Sequence, residues 1–206
     1  MGKQRITAGL LILALFCACT SEEVVAQVPK REKVSIDKGI FQVEYSETKE
    51  QPLKLTYKSS NRPKGADRGT MDFYTEKDVH TSDSKDYYRN IYDKGHLAPA
   101  ATFSDNMVNL KQTFSYLNCA LQDQYLNRGE WRLLEEQERK WDDEQELIVT
   151  VDLEFDGQKV PTDAWIPVSF TKHIKFTKSN EYKCYFFLNV KPTKGWEEHE
   201  VKHKHD

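Results

Sequence analysis

The stretch DKGHLAPA, at residues 93–100, decides the fold of this chain. It sets one histidine, His96, directly behind a charged turn. Further along, apolar residues at helical spacing predict a helix from Asn127 to about residue 146. Asn127 and Glu135 fall near one face of that helix, because positions eight apart differ by about 80° around the axis. The chain thus combines an imidazole, an amide oxygen and a carboxylate.

These three groups suit the hydrolysis of a phosphodiester. His96 can be neutral near pH 7 and take a proton from water, and Gly95 lets the backbone turn tightly before it. Asn127 offers the kind of hard oxygen that Mg²⁺ accepts beside retained waters. Glu135 lies about 12 Å further along the helix axis. We therefore expect Glu135 to bind the water around the ion and not the ion itself.

Several short segments alternate apolar and polar residues, as half-buried strands do. We expect strands at residues 41–45, 53–57, 116–121, 147–151, 165–170 and 182–188. A loop rich in glycine and proline should occupy residues 58–70. Strands on both sides of one long helix predict an α+β fold with an antiparallel sheet.

The N-terminus is typical of an export signal. A basic start precedes an apolar run, residues 10–16, that is too short to span a bilayer. FCAC at residues 16–19 resembles a lipobox, so that Cys19 would carry a lipid. The protein would then be a cell-envelope lipoprotein, periplasmic or at the cell surface. Ordinary cleavage after Ala26, followed by secretion, is the alternative.

The composition of the chain predicts one folded domain between polar segments. At 206 residues and 38% hydrophobic content, one domain with one core accounts for it. The predicted parts are a signal at 1–19, a polar tether at 20–38, a domain at 39–196 and a polar His-rich tail at 197–206.

Charge limits the kind of nucleic-acid contact that the chain can make. Without residues 1–19, 28 basic residues face 33 acidic ones. This balance argues against a nucleic-acid binder whose affinity comes from a broad basic face. It permits an enzyme with a local basic cleft.

Two cysteines, Cys119 and Cys184, lie outside the predicted signal. They are either paired in an oxidising compartment or free, half-buried thiols.

Two gapped motifs resemble one known family. The first is DKGHLAPA, and the second combines TF at 113–114 with Asn118, Gln122, LNRGEW at 126–131 and LE at 134–135. Both are similar to the DRGH and LN-x-G-x-W patterns of the DNA/RNA non-specific endonucleases. That ββα-metal group includes the Serratia-type nuclease and mitochondrial endonuclease G. The resemblance covers roughly residues 41–196 and is strongest over 91–135.

The resemblance implies a ββα-metal fold, with a central, mostly antiparallel sheet and a long metal-site helix. It implies His96 as general base and Asn127 as the only direct protein ligand of Mg²⁺, for which Mn²⁺ can substitute. Glu135 would organise the water shell of the ion. DNA and RNA are the implied substrates, cut to leave 5′-phosphates.

The resemblance also implies contacts to the substrate phosphate. Arg68 is the best match to the family arginine that clamps it, with Arg62 and Arg89 as the other candidates. Asp93 and Lys94 are the further substrate-binding candidates. Lys94 replaces the usual arginine, which keeps the charge and loses the bidentate fork. Two other departures are Leu121 where the family has proline, and the absence of a TGP segment after residues 149–152.

Structural interpretations compete with these assignments. Asn127 would be a helix N-cap, with Glu130 completing a capping box. Glu135 would be a solvated helix residue, as we expect of Glu136 and Glu138. The whole chain would then be a non-catalytic surface module that binds polyanions or a partner protein. A phosphodiesterase of small nucleotides is a third reading.

Other polar residues have smaller expected roles. Asn118 and Gln122 should hydrogen-bond the strand to the site loop. His80 and His173 have no identifiable partner in the sequence. The three remaining histidines, His199, His203 and His205, belong to the predicted tail.

Overall fold

A seven-stranded antiparallel sheet forms the centre of the protein, whose computed structural model describes residues 29–202. Its spatial order is β1-β2-β3-β6-β7-β8-β9, and β4 and β5 form a separate hairpin. In chain order the strands are β1 Val34–Asp37, β2 Phe41–Ser46, β3 Gln51–Ser59, β4 Tyr92–His96, β5 Cys119–Asp123, β6 Leu147–Lys159, β7 Trp165–Phe176, β8 Tyr182–Leu188 and β9 Glu200–Val201. The predicted α+β class with an antiparallel sheet is confirmed.

The motif DKGH lies in a strand and not in the predicted turn. Strand β4 pairs antiparallel with β5, so that Gly95 faces Ala120 and His96 faces Cys119. A Cβ atom at Gly95 would lie 2.4 Å from Oε1 and 2.6 Å from Cβ of Gln122. Glycine is therefore required here by the close approach of Gln122 across the hairpin.

The prediction of a central strand at residues 116–121 is wrong in both its extent and its position in the fold. Tyr116–Asn118 forms a 3₁₀ turn, and only the residues from Cys119 onward are extended, in the two-stranded hairpin. A short helix, α1 (Met107–Thr113), precedes the turn, and the sequence interpretation missed it. Asn106 caps α1 by accepting the backbone N–H of Asn109 at 2.9 Å.

The long helix, called the site helix, runs from Gln124 to Asp142 and so begins and ends earlier than expected. It consists of α2 (Gln124–Leu126), a π-helical turn (Asn127–Trp131) and α3 (Arg132–Asp142), with a kink at Gly129, whose φ of −104° and ψ of −112° are not helical. Asp123 caps it by accepting the N–H groups of Tyr125 and Leu126. The wide turn puts four residues between Leu126 and Trp131, and both side chains are buried in the core.

A buried ion pair fastens the site helix to the sheet. Lys172 of β7 donates to Oε1 of Glu138 at 2.7 Å, and both side chains are fully buried. Tyr57 of β3 donates to the other carboxylate oxygen, Oε2, at 2.5 Å. The Lys172 ammonium also lies 4.1 Å from the ring centroid of Trp131. The expectation that Glu138 is solvated is therefore wrong, while Glu136 is half-exposed and pairs with Arg132.

The sheet extends beyond both predicted domain boundaries. Strand β1 lies inside the expected tether at 20–38 and pairs with β2. Strand β9 lies inside the expected tail, where His199 stacks on Phe187 with ring centroids 4.4 Å apart. The predicted signal and lipobox, with Cys19, fall in residues 1–28, outside the described residues. Within 29–202, no helix is long and apolar enough to cross a membrane.

Both cysteines of the described chain are free thiols, and both are buried, so the predicted alternative of a disulfide is wrong. Cys119 contacts the hydroxyl of Tyr87 at 3.1 Å, and burial raises the pKa of its thiol. His80 does have a partner, Glu50, at 2.7 Å.

The buried ion pair makes a stability prediction. Lys172→Met leaves the Glu138 carboxylate buried with no cation, which should lower the free energy of unfolding by about 3–5 kcal/mol. Lys175→Met, on the same strand but half-exposed, is the matched control and should change it by less than about 1 kcal/mol. Urea unfolding followed by circular dichroism measures both. Equal losses in the two variants would show that the pair has no special role.

Candidate active site

His96 ends strand β4 with its ring packed between two phenylalanines. The ring centroids of Phe73 and Phe114 lie 4.7 and 5.0 Å away. Its Nε2 atom is buried and makes no hydrogen bond within residues 29–202. Burial, and then the positive charge of Arg68, lower the pKa of His96 to about 3. The imidazole is thus neutral at pH 7, with one ring nitrogen free of any protein partner in the described chain.

Arg68 is the arginine that lies beside this histidine. Its guanidinium carbon is 5.2 Å from the ring centroid of Phe114, which also packs on His96. Arg62 instead pairs with Asp105 at 3.6 Å, and Arg89 lies over the ring of Tyr88. Of the three candidates, only Arg68 contributes to the electrostatic field at His96.

Asp93 holds the side chain of Asn127 in one orientation. Its Oδ2 atom accepts the Asn127 Nδ2 group at 2.9 Å. Arg128 binds the same carboxylate with both arms of its guanidinium, at 2.7 and 2.6 Å. With the amide nitrogen engaged, the carbonyl oxygen of half-buried Asn127 is left to accept another partner. Asp93 therefore touches the asparagine directly, a role that the sequence interpretation did not give it.

Asn127 is not the N-cap of the site helix. It lies three residues inside the site helix, in the π-helical turn, while Asp123 is the N-cap. Glu130 completes no capping box, because its carboxylate accepts the backbone N–H of Trp196 at 2.8 Å. The capping interpretation of Asn127 and Glu130 is wrong.

Glu135 faces the buried side of the same helix. Its Oε1 atom is buried, and the Trp131 side chain is its weak hydrogen-bonding neighbour within the described chain. Burial raises its pKa to about 7; Glu138 acts in the same direction, while Lys172 and Arg139 oppose it. Arg139 lies one turn after Glu135, and the sequence interpretation missed this neighbour, which helical spacing could have indicated.

The donors fit a hard cation that keeps most of its water. Within residues 29–202, no three His, Cys, Asp or Glu side chains converge as metal ligands. One oriented carbonyl oxygen, on Asn127, and one buried carboxylate oxygen, on Glu135, are what is present. Mg²⁺ retains several waters in sites with few protein ligands, so this donor set suits Mg²⁺ better than a metal that prefers nitrogen or sulfur.

Lys94 and the amides of the hairpin complete the surroundings. The Lys94 ammonium donates to Asp72 at 2.8 Å, so part of its charge is already balanced. Asn118 bonds the N–H and C=O groups of Ala98 at 2.7 and 2.9 Å, and its predicted structural role is confirmed. The same prediction for Gln122 is wrong, because neither atom of its buried amide makes a hydrogen bond within the described residues.

Comparison with known proteins decides the family. A model of the DNA/RNA non-specific endonucleases matches residues 20–204. The chain belongs to the DNA/RNA non-specific endonuclease family. It is therefore a nuclease, and enzymes of this family generally depend on a divalent metal. The resemblance inferred from the two motifs is confirmed.

A solved structure confirms the fold of this endonuclease. The chain is similar to one in the crystal structure of the EndoG/EndoGI complex, which describes EndoG inhibition. The TM-score is 0.72 at 20% sequence identity, over 82% of this chain and 80% of that one. No curated protein sequence matches the endonuclease. The ββα-metal architecture thus persists at low sequence identity.

The two perturbed histidines of the endonuclease predict opposite titrations. His96 should stay neutral down to a pKa of about 3, while the hydrogen bonds that His173 makes with Asp152 and Cys184 raise its pKa to about 9. An unfolded histidine titrates near pH 6.5. His173 therefore stabilises the fold fully below about pH 6.5 and loses this contribution as the pH rises through 9. His96 destabilises the fold as the pH falls below about 6.5.

Histidine ring shifts in NMR spectra of the metal-free protein, recorded from about pH 4.5 to 9.5, should show a midpoint at a pKa of about 9 for His173 and no titration of His96. Replacement of each histidine by glutamine assigns the resonances. A midpoint for His96 near the unperturbed value would contradict the burial of its ring nitrogen.

Proposed function

We propose that the protein is a Mg²⁺-dependent endonuclease that cuts DNA and RNA with little base preference. The observation that supports this proposal most directly is the hydrogen bond from Asn127 to Asp93. It leaves the side-chain carbonyl oxygen of Asn127, a suitable Mg²⁺ ligand, oriented on the site helix. Neutral His96 and Arg68 lie at the end of the hairpin strand that also carries Asp93. A base, a cation ligand and a phosphate contact are thereby carried by one hairpin, one helix and the loop before them.

His96 acts as the general base in this proposal. Its imidazole accepts a proton from the attacking water, because the ring is neutral throughout the physiological range. A pKa of about 3 makes a weak base in the free enzyme. A substrate phosphate on Arg68 offsets the charge that lowers the pKa, and so strengthens the base when substrate is bound.

Asn127 would hold the metal directly, and Glu135 would accept hydrogen bonds from the surrounding water. When bound, Mg²⁺ would supply positive charge at the phosphoryl oxygens and would make the nearby water more acidic. Asp93 fixes the rotation of the Asn127 amide, so that the oxygen and not the nitrogen is presented. This contact assigns Asp93 a positioning role in place of a phosphate contact.

Low base preference follows from what these residues contact. Arg68 and Lys94 are cations suited to phosphate oxygens, and phosphate carries no sequence information. The ribose hydroxyl has no designated partner among the residues of the proposal, so DNA and RNA both fit. Retained 5′-phosphates on the products are part of the same proposal.

We propose an extracytoplasmic location, on the basis of the N-terminal sequence. The apolar run and the FCAC stretch support export, with Cys19 as the lipid attachment point of a cell-envelope lipoprotein. Cleavage after Ala26 would give a secreted enzyme instead. Metabolic labelling with a radioactive fatty acid, compared between the parent and Cys19→Ala, separates the two.

The central prediction concerns His96. His96→Ala should slow Mg²⁺-dependent plasmid cutting by about 10²–10⁴-fold, because the general base is lost. His80→Ala is the matched control, since His80 pairs with Glu50 and should leave the rate near that of the parent. Circular dichroism checks that both variants fold. Digestion by His96→Ala at the parent rate would refute the assignment.

Removal of the metal tests whether the protein is a metal-dependent enzyme or a non-catalytic binding module. Plasmid cutting by the parent should stop in EDTA and return when excess Mg²⁺ is added. A parent protein that retains plasmid without metal-dependent cutting would favour the binding module. Cleavage of a dinucleotide with circular DNA left intact would favour the small-nucleotide phosphodiesterase.

A further inference from the structure

Tyr125 occupies an exposed position at the start of the site helix. It is 56% exposed, although it lies only two residues before Asn127. Positions two apart on a helix face different sides, so Tyr125 adjoins the site through Arg128, three residues further on. The Arg128 guanidinium interacts electrostatically with the Tyr125 side chain and binds the Asp93 carboxylate that holds Asn127. The ring therefore lies beside the proposed cation ligand, where a base next to the phosphate being cut can meet it.

A buried asparagine brings a cation to this ring. Asn189 accepts the backbone N–H of Asp123 at 2.7 Å and donates to the carbonyl oxygens of Leu121 and Pro167 at 2.9 and 2.8 Å. The segment after β8 is thereby attached to the junction from which the site helix starts. Two residues later, the Lys191 ammonium lies 5.0 Å from the ring centroid of Tyr125.

An exposed apolar residue lies on the chain segment next to the start of the site helix. Ile91 is 55% exposed, and its carbonyl oxygen accepts the backbone N–H of Gln124 at 3.1 Å. Tyr125 and Ile91 therefore lie on adjacent exposed segments beside the site, with Lys191 at the ring. An exposed aromatic ring with an adjacent cation is the combination that binds unpaired nucleotides, by stacking on the base and attracting the phosphate.

We propose that Tyr125 and Lys191 form a stacking subsite for an unpaired base of the substrate strand. The inference rests on the proposed nuclease function and names the substrate form that the site favours. An unpaired base can turn out and stack on the ring, whereas a paired base is already stacked within its duplex. Single-stranded DNA, and RNA with unpaired stretches, then bind more tightly than duplex at equal phosphate charge.

The test compares Tyr125→Ala with Tyr125→Phe on a single-stranded oligothymidylate and on the same strand paired with its complement. Tyr125→Ala should raise KM for the single strand by about tenfold, because stacking is lost. Its effect should be smaller on the duplex and smaller on kcat than on KM. Tyr125→Phe should behave as the parent, since the ring and not the hydroxyl stacks.

Tyr182→Ala is the matched control. Tyr182 is 43% exposed and has Lys175 5.4 Å from its ring centroid, so it offers the same pair of groups. It begins β8, whereas Asn189 directly follows the end of that strand, a separation of about 23 Å. This variant should leave the single-strand KM at the parent value.

A binding measurement made without cleavage tests the stacking subsite separately from the proposed nuclease function. Fluorescence anisotropy of a labelled oligothymidylate in EDTA should show a Kd about tenfold weaker for Tyr125→Ala than for the parent. If the parent cuts nothing but this difference is seen, the proposed function fails and the subsite stands. If the parent cuts and the variant keeps its single-strand KM and Kd, or if single strand and duplex suffer equally, the subsite is refuted.

Discussion

The carboxylate of Asp93 makes the contact on which the candidate site depends. It joins the β4–β5 hairpin to the site helix by accepting the Asn127 amide and both arms of Arg128. An asparagine amide has two nearly equivalent ends, and only one is a cation ligand. By binding the nitrogen, Asp93 determines which end is free. Arg128 neutralises the carboxylate, so the site gains orientation without an uncompensated negative charge.

The position of the helix itself is determined deeper in the molecule. Lys172 reaches from β7 to Glu138 on α3, with the Trp131 ring beside its ammonium. The π-helical turn between Asn127 and Trp131 lets the buried side of the helix face the sheet while Asn127 faces Asp93. A π turn costs some regular hydrogen bonding and is often found at functional sites. Here the π turn allows Trp131 to pack in the core while the Asn127 amide is oriented by Asp93.

Local patterns in the sequence predicted the sheet, and motifs predicted the candidate site. Alternating residues such as those of β2 and β3 identify half-buried strands because each strand is short and continuous in sequence. The polar strand β4 offers no such alternation. Its extended conformation depends on pairing with β5, more than twenty residues later, and on the fit of Gly95 against Gln122.

The features that the sequence could not reveal depend on distant partners. In the sequence, Glu138 cannot be told from a solvated glutamate on a helix surface. Its burial is explained by Lys172, which lies 34 positions later in the chain. Tyr125 gains its cation from Lys191 through a loop that Asn189 attaches to the strand. His96, Asn127 and Glu135 could be named from the motif, but the orientation of the amide by Asp93 required the structure.

Calorimetric titration of the protein with Mg²⁺ tests the central claim most directly, because it measures the site without any turnover. The parent should bind with an affinity that Asn127→Ala loses and that Asp93→Ala weakens by about 10–100-fold, as for a residue that orients a metal ligand. Asn61→Ala, an exposed loop change, should bind as the parent does. Mg²⁺ binding of unchanged affinity in Asn127→Ala would contradict the account.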